Sequence, residues 1–355
     1  MPRLKYPILY IIIVVCFITD CKTGSPDPQP LVTPIISGGE SGLYLVGGTY
    51  SPAVDTFAVP VLWHGGGMLN LAAKKTYSPV ITTQGKDIYA AYNDATGSVY
   101  SKNGLVIGNL SVPTNMRSYV TGIALIGPDV YISGSLLTGS NGYPSIPVYW
   151  KNGTLNYLSY PTPLGLFDQW NTSGIAVSGS DVYISGSHST GAAYWKNGVI
   201  TILPNGVYAK GITVSGTDVY VAGVLHTTPV SFVDQAGYWK NGVAVFMPNP
   251  NNINQTALAI AVQGTDVYVA GYNYGSGYNT NAVYWKNGTL NTLSKISGSG
   301  VRVSAIFIDP SNNVYMAGAE GVSGQNYSVA AYWLNGAETL LSTQSSVSSG
   351  LVYVQ

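Results

Sequence analysis

Three features of this sequence predict an all-β chain built from seven copies of one four-stranded unit. Two phrases recur in step, Asp-Val-Tyr-Val-Ala-Gly at residues 266–271 and Tyr-Trp-Lys-Asn-Gly at residues 284–288. Counted at the Trp position, successive copies lie 38, 49, 45, 44, 46 and 48 residues apart, room for four short strands and their turns. Charged residues make up only 8% against 46% apolar, with 43 Gly and 28 Tyr, which excludes a disordered chain and suits β-rich runs joined by tight turns.

Residues 257–294 show the unit complete. An apolar run through Ile260 and Val262 meets the turn Gly264-Thr265-Asp266, and Val267-Tyr268-Val269 follows as a second strand. A polar loop leads to a third run ending Tyr284-Trp285, then Lys286-Asn287-Gly288, then a fourth run through Leu290 and Leu293. The Lys-Asn-Gly turn is expected to be a three-residue loop with Gly in the left-handed position. Asp87, Asp129, Asp181, Asp218 and Asp266 share one place in the first hairpin, where a carboxylate is expected to accept local backbone N–H bonds. Trp63, Trp150, Trp195, Trp239, Trp285 and Trp333 also share one place, so they are read as wedges between neighbouring units rather than as ligand contacts. Near-continuous apolar runs such as Ile175-Ala176-Val177 fit strands buried on both faces.

Seven such units in phase predict a seven-bladed β-propeller of four-stranded antiparallel blades over residues 31–355, with no second domain. Ser349-Gly350-Leu351-Val352-Tyr353-Val354 matches the opening strand of a unit and is expected to complete the first blade; residues 32–36 are the rival for that place. The repeats resemble the propeller class that includes kelch and WD40 rings, and especially a group of uncharacterised bacterial surface propellers with the same two phrases. They lack the regular double Gly of kelch and the Trp-Asp ending of WD40. The resemblance implies a fold and not a function.

Residues 1–20 read as an export signal: Arg3 and Lys5 precede an apolar run over residues 8–17 that is too short to span a bilayer. The run ends Ile18-Thr19-Asp20-Cys21, which resembles a bacterial lipoprotein signal. That resemblance implies cleavage before Cys21 and its acylation, although Asp20 replaces the small residue usual there; an uncleaved anchor or an ordinary secretory signal is the alternative. Cys16 falls within the removed segment, so no internal disulfide is expected. Residues 21–30, with Pro26, Pro28 and Pro30, read as a stiff tether. The expected address is the bacterial envelope, and Lys22 after the Cys is the pattern that permits transfer to the outer membrane.

Fifteen basic residues balance fifteen acidic ones, so nothing steers nucleic acid to this chain, and a monomer is expected. No cofactor or metal is expected: each unit offers one turn carboxylate, and His64, His188 and His226 fall in different units without ligand spacing. A sialidase would need three arginines, and beyond residue 20 there are only Arg117 and Arg302. A glycosidase would need two converging carboxyls, for which Asp55, Asp94, Asp168, Asp234 and Glu320 are the loop candidates.

The hairpin turns at one end of the blades are monotonous, whereas the loops at the other end vary, with 12 to 19 residues from second-strand Tyr to Trp position. Variable loops on a rigid scaffold are where recognition sits. These loops carry Tyr92, Tyr143, Trp170, Tyr208, Tyr272, Tyr274, Tyr278 and Tyr327 among Asn, Ser and Gly. Trp170, the Trp outside the repeat position, is the first candidate for an exposed contact. The expected function is non-catalytic binding of a glycan or a protein on this face, with a carbohydrate-active enzyme as the alternative.

Overall fold

The computed structural model describes residues 41–50, 59–71, 79–94, 97–138, 144–161, 169–189, 191–228, 231, 233–275, 279–296, 299–325 and 327–354. Residues 1–20, Cys21, the tether and the rival closing segment 32–36 lie outside this set. The described residues form twenty-eight strands in seven four-stranded antiparallel sheets, each paired in simple up-and-down order. They build a seven-bladed β-propeller. From blade 1 to blade 7 the innermost strands are Ser346–Val354, Val80–Gln84, Met116–Ile126, Asn171–Ser178, Gly206–Ser215, Gln255–Gln263 and Ser299–Ile308.

Blade 1 is composite. Its innermost strand is the C-terminal Ser346–Val354, paired with Gly42–Thr49 from Gly42↔Val354 to Thr49↔Ser346. The last strand of the chain therefore closes the ring, as its match to the repeat predicts.

The turns differ from expectation in an instructive way. In Lys240-Asn241-Gly242 the pair Lys240↔Val243 leaves a two-residue loop, with Asn241 at φ 51° and Gly242 at φ 81°. Two left-handed residues make this a type I′ turn, whose twist matches that of the strands it joins, rather than a three-residue loop. Asp218 does not cap its own turn either. Its carboxylate accepts from Asn241 Nδ2 at 2.7 Å and pairs with Lys240 Nζ at 2.7 Å, while Asn241 Oδ1 accepts from Val219 N at 2.9 Å. The Lys240 ammonium lies 5.3 Å from the Tyr220 ring centre, its pKa raised to about 12 chiefly by the bond to Asp218. The same clasp joins Asp87 to Lys102, Asp129 to Lys151, Asp181 to Lys196 and Asp266 to Lys286. Five lysines and five aspartates are thereby spent on fixing hairpins.

The tryptophans are wedges. Trp150, Trp195, Trp239, Trp285 and Trp333 are fully buried. Trp239 donates its indole N–H to Pro204 O at 2.8 Å, across the joint from the preceding blade, and Trp150, Trp195 and Trp333 do the same to Ser111, Ser159 and Ser294. Trp285 and Trp63 hold the position without a hydrogen-bond partner for that nitrogen. The Gly that ends the recurring second-strand phrase makes room for them. A Cβ on Gly223 would stand 2.0 Å from Tyr208 O and 2.9 Å from the Trp239 ring.

Candidate functional site

Both recurring hairpins turn at one end of the blades, so the second-to-third loops and the blade connections share the opposite end, the loop face. Five of the innermost strands carry a register break against their partner, at Val120/Gly122, Thr172/Gly174, Ala209/Ile212, Ala257/Ala259 and Val303/Ala305, and blade 1 has one beside Ser349. A bulge of this kind turns an extra residue out of the ladder. The extra residues Thr121, Ser173, Lys210, Leu258, Ser304 and Ser349 all line one axial cavity of about 330 Å³.

Several of these hydroxyls staple adjacent blades. Ser349 donates to Pro79 O at 2.6 Å, Ser304 donates to Ser348 O at 2.8 Å, and Thr121 and Thr172 share a bond of 2.7 Å. Lys210 is different. It is half-buried, its burial holds the ammonium below the usual lysine range, and among the described residues no carboxylate pairs with it. Its Nζ sits 5.3 Å from the ring centre of Tyr208, two residues earlier on the same strand.

Tyr208 is 46% exposed and lines a second space, a groove of about 600 Å³ between blades 4 and 5. The groove is walled by His188, Pro204, Asn205, Tyr208, His226 and Thr228. His188 and His226, read from sequence as unrelated loop residues, thus meet in one place. His226 Nε2 contacts Asp234 Oδ1 at 3.0 Å, and His188 stacks on Trp170 at 4.6 Å. Two blades on, Arg302 occupies the repeat position that Tyr208 holds in blade 5, two residues before the bulge. Its guanidinium lies 5.5 Å over the Tyr272 ring, which meets Tyr274 edge-on at 5.7 Å.

Of the residues singled out from sequence, Tyr208, Tyr272 and Tyr274 belong to this surface. Tyr272 and Tyr274 are half-buried, as is Tyr327, whose carbonyl accepts from Val322 N at 3.1 Å. Tyr143 and Tyr278 lie outside the described residues. Trp170 is not an exposed contact: it is 4% exposed, edge-on to Trp195 at 5.9 Å, with Ser145 donating to its carbonyl at 3.3 Å. It caps the repeat Trp below it. Tyr92 is also buried, its hydroxyl donating to Leu71 O at 3.0 Å.

Two of the five loop acids have described side chains. Asp234 is held by His226, and Glu320 is buried within blade 7. Glu338, on the outer strand of that blade, has its carboxyl pushed up to about 7 by burial and then by the charge of Glu320. Asp55 and Asp168 lie outside the described residues, as does the side chain of Asp94. Among the described residues no group of His, Cys, Asp and Glu is arranged to hold a metal ion.

No known protein family matches the chain by sequence, and no curated protein does. Solved structures resemble it in fold. The β-propeller domain of the Trilobed protease from Pyrococcus furiosus is 9% identical, aligning 86% of this chain with 93% of that one at a TM-score of 0.48. The computationally designed Ika8 protein is 13% identical, with 90% and 93% covered and a TM-score of 0.47. The Aleuria aurantia lectin, solved with α-methyl-L-fucoside, is 10% identical, with 74% and 92% covered and a TM-score of 0.40. These likenesses are of architecture alone.

Proposed function

We propose that this propeller is a non-catalytic binding module for a glycan, which it takes on the loop face at the groove between blades 4 and 5. The carrying observation is that groove: about 600 Å³, open, and walled by an exposed tyrosine, two imidazoles, small polar residues and the aliphatic Ile202, Leu203, Pro204 and Val207. A flat aromatic face beside convergent hydroxyl, amide and backbone groups suits a sugar ring, which offers C–H surface on one side and hydroxyls at its edge. The hydrolytic alternative needs two carboxyls across a common pocket. Among the described candidates, Asp234 is bonded to His226 and Glu320 sits inside a blade.

On this reading the export signal and Cys21 display the module on the envelope. The support for that is the sequence pattern alone, and Cys21→Ala should shift the protein to the soluble fraction if it is right.

A glycan array probed with the labelled propeller, followed by titration of the best hit, tests the binding function. Tyr208→Ala should weaken that hit about tenfold, the value of one aromatic contact of about 1.4 kcal/mol. Unchanged affinity in Tyr208→Ala, or an array without a hit, refutes the assignment.

A further inference from the structure

We propose that the propeller selects an acidic saccharide, a uronate-bearing oligosaccharide, whose carboxylate is received by Lys210 where it lines the axial cavity. The inference rests on the glycan-binding reading and adds the charge of the ligand.

Its starting point is how the cations of the chain are used. Five lysines are neutralised in hairpin clasps, each 2.7–2.8 Å from an aspartate. Lys210 and Arg302 are treated in the opposite way. Each stands on an innermost strand beside a bulge, each faces a tyrosine ring at 5.3 or 5.5 Å, and neither has a carboxylate partner among the described residues. The other bulge residues at the cavity are hydroxyl or aliphatic, so Lys210 is a cation where the repeat asks for none.

Holding an ammonium half-buried without a counter-charge is unfavourable, and burial does lower its proton affinity. A tyrosine face offsets only part of that loss. A ligand carboxylate would supply the missing charge, and in a partly desolvated site such a charge-assisted bond is about twice as strong as a neutral one. The surroundings point to a sugar acid rather than to a peptide. Tyr208 links the cation to the groove, and the cavity wall sets the hydroxyls of Thr121, Ser173, Ser304 and Ser349 among aliphatic side chains, a mixture that suits the hydroxyls and C–H surface of a sugar ring.

The test compares tetragalacturonate with its methyl ester, which has the same rings and no charge, by titration calorimetry at low and physiological salt. The wild-type propeller should bind the free acid at least tenfold more tightly, and Lys210→Gln should erase most of that preference, read as the ratio of acid to ester affinity within the same variant. Equal binding of acid and ester by the wild type overturns the charge assignment and leaves the glycan reading standing. Binding of neither, or binding of tetraglutamate as tightly as the free acid, overturns it as well; a hit among neutral glycans would still preserve the broader function. Lys210→Arg controls for folding: it keeps the charge and should keep the preference.

Discussion

Trp239 and Trp285 occupy the same position in adjacent blades and are equally buried, but their indole nitrogens are not equally satisfied. Trp239 donates to Pro204 O at 2.8 Å, whereas the Trp285 nitrogen has no partner. Trp→Phe at either site removes the same ring and leaves a similar void, so the packing losses cancel in the comparison. What remains is the polar term. Trp239→Phe loses a hydrogen bond of about 1 kcal/mol to the exposed residue Pro204, while Trp285→Phe relieves a buried orphan donor that costs about 1–3 kcal/mol. Trp239→Phe should therefore be less stable than Trp285→Phe by about 2–4 kcal/mol. Urea unfolding at one pH measures this, with equal m-values as the check that the same surface is exposed. Equal midpoints, or a lower one for Trp285→Phe, would refute the reasoning that the inter-blade indole bond carries weight beyond the wedge.

Three further outcomes are expected. Asn241→Ala should cost about 1–2 kcal/mol, because it removes the clasp amide and puts a Cβ-bearing residue without local bonding at φ 51°; Asn241→Gly should recover the backbone part alone, as urea midpoints will show. Stability should peak near pH 4–5. The Asp pKa values in the clasps are lowered on folding, chiefly by their lysines, so that their contribution is lost as pH falls below about 4; that of Glu338 is raised from 4.5 to about 7, so its contribution is lost as pH climbs between those values. Glu338→Gln should flatten the upper limb in midpoints measured from pH 3 to 8. Gly223→Ala should cost about 3 kcal/mol or abolish soluble expression, since its Cβ would meet Tyr208 O at 2.0 Å.

The fold was legible because a repeat states its strands seven times, and coincidences average out. The Trp wedges, the blade number and the closing strand all follow from positions that recur. Turn detail was less legible. Lys-Asn-Gly is compatible with two loop lengths, and only the pairing Lys240↔Val243 decides between them. The site was hardest, because it is made where the copies differ. Lys210 stands where other blades have Thr121, Ser173, Leu258, Ser304 or Ser349, a departure visible only once the bulge aligns them. Trp170 departs from the repeat too, yet it went inward, because a large aromatic beside Trp195 gains more from burial than from display. The meeting of His188 and His226 depends on the angle between two blades, which no single copy encodes.

Blade 1 borrows its axial strand from the far end of the chain, and this sets an order of events. Among the described strands Gly42–Thr49 is the first to be synthesised and Ser346–Val354 the last. The edge of the first sheet must therefore stay unpaired until Ser346–Val354 has been made. Blades 2 to 7 have all their strands close in sequence and can form one by one behind it. Until the final residues arrive, the nascent assembly is an open arc with an exposed strand at its leading end, the state in which a second chain could pair there by mistake. Crossing a membrane unfolded before closure, or having that edge covered by a chaperone, would avoid this. The final nine-residue strand acts less as one more rung than as the latch that turns an arc into a ring.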